Sequence, residues 1–116
     1  MAQHNDTGNQ AEEMAAKFLS QKGYEIRDRN YVFGKGEIDI IAQKDDWLVF
    51  VEVRARSEVL HGFPEQTISK AKASLIMKTA ENYVYQKDWR SKIRFDIIAI
   101  IVGQAFEIRH FEDVFF

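Results

Sequence analysis

Two acids, Asp39 and Glu52, interrupt stretches that otherwise read as buried strand: Ile38-Asp39-Ile40-Ile41 and Phe50-Val51-Glu52-Val53. Neighbouring carboxylates in such a setting have three ways to coexist. One of them keeps its proton, nearby cations neutralise the pair, or a divalent ion sits between them. Magnesium suits the third, because it is bound by one or two carboxylates plus waters and leaves room for a phosphate. Such an ion activates water and stabilises charge on a transferring phosphoryl group. Arg54, two residues after Glu52, is a permanent cation able to neutralise part of the acid charge.

The residues between the acids decide whether they meet. Asp45-Asp46 favours a turn. An antiparallel hairpin centred there pairs Ile38 with Val53, Ile40 with Val51 and Ala42 with Val49, an all-apolar face. The other face pairs Glu37 with Arg54, Asp39 with Glu52 and Ile41 with Phe50. A one-residue slip would mix the two faces, so the pattern itself supports this register. The acids then stand opposite each other with Cβ atoms about 4.5–5.5 Å apart. Two like charges at that range repel by roughly 3 kcal/mol at an effective dielectric near 20. The ordinary alternative is a Glu37–Arg54 ion pair with both acids on a wet sheet face. Against it, Ile41 and Phe50 continue the same face and put the acids at the edge of a core.

The remaining elements must frame that hairpin. Asp6 or Thr7 caps a first helix that runs to about Lys22, with Gly23 as its stop. Ala11, Met14, Ala15, Phe18 and Leu19 follow helical spacing along it. Tyr24 to Tyr31 is extended, Gly34-Lys35-Gly36 turns, and Ser57 to Gln66 reads as an exposed loop beside the acids. A second helix spans roughly Ser69 to Gln86, with Ile68, Ala71, Leu75, Ile76, Ala80, Tyr83 and Val84 on one face. Arg94 to Ile101 is a mostly apolar, central strand, and a last strand covers Phe106 to Phe111. The expected order is α-β-β-β-α-β-β in a single domain over residues 1–116.

Composition agrees with one globular domain: 46 % hydrophobic and 29 % charged residues in 116. Cysteine is absent, which removes disulfides and thiolate metal sites. No apolar run approaches the roughly 18 residues a membrane span needs, and the polar N-terminus lacks a secretory pattern, so the cytoplasm is expected. Net charge is only −2, but basic residues bunch locally, as in Arg27, Arg29 and Lys35, Arg54 and Arg56, and Lys70 and Lys72. Lys35, Arg56 and Lys70 are the candidate nucleic-acid contacts. Lys70 begins the second helix, where a cation opposes the helix dipole unless an anion lies close. His4, His61 and His110 show no ligand spacing, and Trp47 and Trp89 read as packing residues. The aromatic tail, Phe111 with Phe115-Phe116, either packs onto the core or forms a dimer seam.

Asp39, a hairpin and Glu52-Val53-Arg54 together resemble the D…(D/E)-x-K motif of restriction-endonuclease-like nucleases, archaeal Holliday-junction resolvases among them. Over nearly its whole length the chain more closely resembles the YraN-like family of bacterial proteins. That resemblance rests on Gly8, Ala11-Glu12-Glu13-Met14-Ala15, Lys22-Gly23-Tyr24 and Arg29-Asn30-Tyr31. It continues through Gly36 to Ala42, Phe50 to Arg54, Lys70 and Arg94-Phe95-Asp96.

The resemblance implies a restriction-endonuclease-like α/β fold, with a mixed central β-sheet flanked by helices. It also implies metal-dependent cleavage of DNA, branched or structured. Asp39 and Glu52 would hold Mg2+ or Mn2+ with the carbonyl of Val53, and Glu12 would bring a helix acid to the same site. Two departures stand out. Ala11 replaces a glycine, and Arg54 replaces the motif lysine. Arginine stays protonated, so Arg54 can clamp a phosphate oxygen but cannot act as a base. The rival reading is a nucleic-acid-binding module that keeps the fold with weak or no catalysis.

Overall fold

A computed structural model describes residues 6–57, 68–102 and 105–115. It contains helix α1 (Asp6–Gln21), strands β1 (Glu25–Phe33), β2 (Gly36–Lys44) and β3 (Trp47–Ser57), helix α2 (Lys70–Lys87), and strands β4 (Lys92–Val102) and β5 (Phe106–Phe111). The five strands form one sheet in the order β1-β2-β3-β4-β5. Its pairs are antiparallel except β3–β4, which is parallel. The α-β-β-β-α-β-β order and the mixed sheet flanked by helices are as expected from sequence. A parallel pair needs a crossover, and α2 supplies it.

Each face of the sheet carries one helix. On the first, Ala11, Ala15 and Leu19 of α1 pack on Ile40, Ala42, Val49, Val51, Ile98 and Ile100. On the second, Ile76, Ala80 and Tyr83 of α2 pack on Ile41, Leu48 and Phe50. The central strands are therefore apolar on both sides, as a doubly covered sheet requires. Gly23 ends α1 with φ +94°, a conformation that disfavours side-chain-bearing residues. Asp6 and Thr7, expected as caps, are already helical.

The second helix keeps its expected face at Ile76, Ala80, Tyr83 and Val84 and departs from it only nearer its start. Ser69 caps it by accepting the Lys72 backbone N–H. Its buried positions are Ile76, Thr79, Ala80 and Tyr83, whereas Ala71 and Leu75 are exposed. The reason lies in the sheet. A Cβ built on Gly36 would fall 2.1 Å from Thr79 Oγ1 and 2.8 Å from the Leu75 carbonyl oxygen. The helix rests on the bare backbone of β2 at Gly36, and Thr79, with its hydroxyl donating to the Leu75 carbonyl, lines the contact.

Most of the loop expected at 57–66, with His61, lies outside the described residues, as do His4 and Phe116. The tail that precedes Phe116 docks on the core: the Phe115 ring sits 5.4 Å from Phe95, which stacks at 5.4 Å on Phe50.

Candidate functional site

The hairpin register holds through Ile41↔Phe50 and Ile40↔Val51, with Asp45 in the left-handed turn conformation. Beyond Ile40 the paired ladder stops, so the expected pairs Asp39–Glu52, Ile38–Val53 and Glu37–Arg54 do not form part of it. Asp39 also drops out of the ladder on its other side, where pairing steps from Arg29↔Ile40 to Tyr31↔Ile38. Face alternation breaks at the same residue. Ile38 joins the α2-side core instead of the α1 side on which Ile40 and Val53 lie. Asp39 Oδ2 instead accepts the Val53 N–H at 2.8 Å, so a carboxylate does the work of a backbone carbonyl between β2 and β3.

Glu52 faces the same opening from β3. With Lys35, Gly36 and Glu37 from the β1–β2 turn and Lys72, Leu75 and Ile76 from α2, the two acids line a cleft of about 410 Å³. Asp39 is pushed up to about 7, first by burial and then by the charge of Glu52. The Val53 N–H pulls the other way, while Glu12 and Glu37 add to the rise. Glu12 from α1 is thus close enough to be felt, although it also pairs loosely with Arg29 at 3.9 Å. Among the described residues no group of three or more acids, histidines or cysteines is placed to hold a metal ion. Two carboxylates, one of them reluctant to ionise beside the other, fit a hard cation that keeps most of its waters rather than a full protein cage.

Arg54 turns toward Glu52 rather than toward Glu37. Its Nε lies 3.5 Å from Glu52 Oε2, and its side chain is only 12 % exposed. Nε and Nη2 are buried without a hydrogen-bond acceptor among the described residues. An unsatisfied buried donor costs about 1–3 kcal/mol, so this guanidinium is suited to an incoming oxygen ligand.

The other candidates are dispersed. Lys35 lines the cleft. Lys70 is exposed and borders a separate hollow with Ala73, Ser74 and Met77. Arg56 lies on β3, with its side chain outside the described residues.

Two further clusters emerge from the structure. Lys72 sends Nζ to 2.7 Å from Glu52 Oε2, a closer approach than Arg54 makes. On the opposite side of the sheet, Asp96 is fully buried and accepts from Arg94 Nε and Nη2, each at 2.8 Å, and from the Asp113 N–H at 3.0 Å. His110 Nε2 is 2.7 Å from the same carboxylate, and its Nδ1 is 2.8 Å from Lys22 Nζ. Because an ammonium only donates, Nδ1 accepts and Nε2–H donates to Asp96. Burial alone would raise Asp96, but His110, Arg94 and Asp113 together hold it below the ordinary carboxylate value.

A family model described as "Uncharacterised protein family UPF0102" matches residues 11–100, a span that includes every acid and base of the cleft named above. The chain belongs to this family. A UPF0102 protein of Flavobacterium psychrophilum is 46 % identical over 117 residues, covering 100 % of this chain and 98 % of the relative. UPF0102 relatives from Cytophaga hutchinsonii (40 % over 112 residues, 97 % of each chain) and Dictyoglomus turgidum (42 % over 110 residues, 94 % of this chain and 93 % of the relative) match almost as fully. UPF0102 membership and the observed topology are both consistent with the restriction-endonuclease-like superfamily that the Asp39…Glu52-Val53-Arg54 pattern suggested.

Proposed function

We propose that this protein is a metal-dependent phosphodiesterase that cleaves DNA, with branched or otherwise structured DNA as its substrate class. The observation that carries this reading is the convergence of Asp39 and Glu52 in one cleft, with Asp39 pushed up to about 7 by burial and by its neighbour. Asp39 and Glu52 would hold Mg2+ or Mn2+, assisted by the Val53 carbonyl. Bound there, the cation would supply a Lewis acid and an activated water.

The chain's own residues do the rest. Val53 N–H fixes Asp39 by its Oδ2. Arg54, held at Glu52 with buried unsatisfied N–H groups, offers donors to a phosphate oxygen and stabilises developing negative charge. It takes no proton. Glu12 contributes negative potential from α1.

The test is incubation of purified protein with four-way-junction and flap DNA in Mn2+, beside Asp39→Asn and Glu52→Gln. Cleavage by the parent and not by the variants supports the reading, and equal products from all three would refute it. One observation favours a second reading. Arg54 stands where the superfamily motif has lysine, which fits a DNA-binding module without strong catalysis. Salt-sensitive binding without nicking would select it.

A further inference from the structure

Glu52 Oε2 receives two cations. Arg54 is 12 % exposed and comes from the strand that carries Glu52. Lys72 is 46 % exposed and comes from the first turn of α2. We infer that Lys72 is the phosphate-contacting lysine of this cleft, delivered by a helix in place of the lysine missing from the strand motif, and that its ligand is a DNA backbone phosphate. The inference rests on the phosphodiester reading of the cleft and deepens it.

Three features assign this role to Lys72. Its ammonium is fixed at one end by Glu52 at 2.7 Å while the side chain stays nearly half open to solvent. A compact cation with three donors can keep that contact and bind an arriving oxygen as well. Second, its position is built. Ser69 Oγ caps the helix on the Lys72 N–H, and one and two turns later the Leu75 backbone and Thr79 meet β2 where Gly36 has no side chain. Lys72 therefore shares a helix face with the residues that clamp α2 to the sheet. Third, the first turn of α2 contains no acid to balance Lys70 and Lys72. Two cations at the positive end of a helix are unfavourable unless anions face them. Glu52 supplies one, and a phosphate beside it would supply another. Lys70, on a different face, borders a hollow that neither Asp39 nor Glu52 lines.

The experiment measures binding of fluorescent junction DNA to parent, Lys72→Ala, Lys72→Gln and Lys72→Arg over a series of salt concentrations. Calcium replaces Mn2+ to retain an oxygen-seeking cation, and each variant's melting temperature is recorded. Loss of one phosphate contact should lower the log–log salt slope by about one unit and weaken binding about tenfold for Ala and Gln. Arg should restore the slope. An unchanged slope in well-folded Ala or Gln variants overturns the assignment, as does a parent that does not bind DNA at all. A parent whose Lys72-dependent DNA binding is intact, but whose melting temperature ignores Mn2+, keeps the Lys72 contact and removes the metal-dependent hydrolysis.

Discussion

Asp39 holds its proton to about pH 7 because burial and the Glu52 charge both disfavour its ionised form. The unfolded chain releases that proton near the ordinary value of 3.8. A raised folded value contributes stability that is complete below the unfolded value and lost as pH climbs through the folded one. The parent should therefore weaken between about pH 4 and pH 8 in the absence of divalent ions. Asp39→Asn keeps an acceptor for the Val53 N–H and removes the charge. Urea denaturation should find it more stable than the parent at pH 8, by on the order of 2 kcal/mol, with the gap closing at pH 4. A parallel pair of pH profiles would refute the shared-charge account. Asp96 behaves in the opposite way. Its carboxylate satisfies Arg94 and His110 inside the protein, and Asp96→Ala would remove the acceptor they share and leave the buried Arg94 charge without its main counter-ion. A loss of roughly 3–5 kcal/mol is expected in the same assay, and a loss below 1 kcal/mol would show that the network is dispensable.

At the scale of elements, the hairpin was legible because strand periodicity and the Asp45-Asp46 turn agree on one register, which the ladder from Trp47 to Val51 confirms. The end of that ladder was not legible. A strand that changes faces at Asp39 differs from one that does not by a single unpaired residue, and no local residue type announces it. Lys72 was missed for a related reason. Lys70 and Lys72 look equivalent in the chain, and only the rotation of α2 against β2 separates them. That rotation depends on Gly36 meeting Thr79, a contact between residues far apart in sequence. His110 lacked any spacing signal because its partners Asp96 and Lys22 come from two other parts of the chain. Gly36→Ala tests the helix seating. A methyl placed 2.8 Å from the Leu75 carbonyl must push α2 outward, at a cost of about 1–3 kcal/mol. On the proposed Lys72 contact, the same variant should also bind DNA more weakly as Lys72 moves from Glu52. Full stability together with full affinity would show that α2 is seated by other contacts.

For the whole molecule, divalent ions should reverse the pH trend. A ligand that binds only the folded state adds stability of RT ln(1 + [L]/Kd), about 2.7 kcal/mol at a hundredfold excess over Kd. Thermal melts at pH 8 should rise with Mn2+ in the parent and stay flat in Asp39→Asn and Glu52→Gln. A flat parent would remove the cation from the site. Among the described residues no helix is long and apolar enough to cross a membrane, and both faces of the sheet are covered by helices and apolar cores.

The parallel β3–β4 ladder has a consequence for cutting the chain. Glu12, Asp39, Glu52, Arg54 and Lys72 all precede residue 92, where β4 begins, so a fragment ending there retains every side chain of the proposed site. Such a fragment bares the flank of β3 along eleven residues and opens a row of unpaired peptide groups suited to self-association. Expressed alone, that shortened chain should aggregate, and adding residues 92–116 as a separate peptide should rescue it.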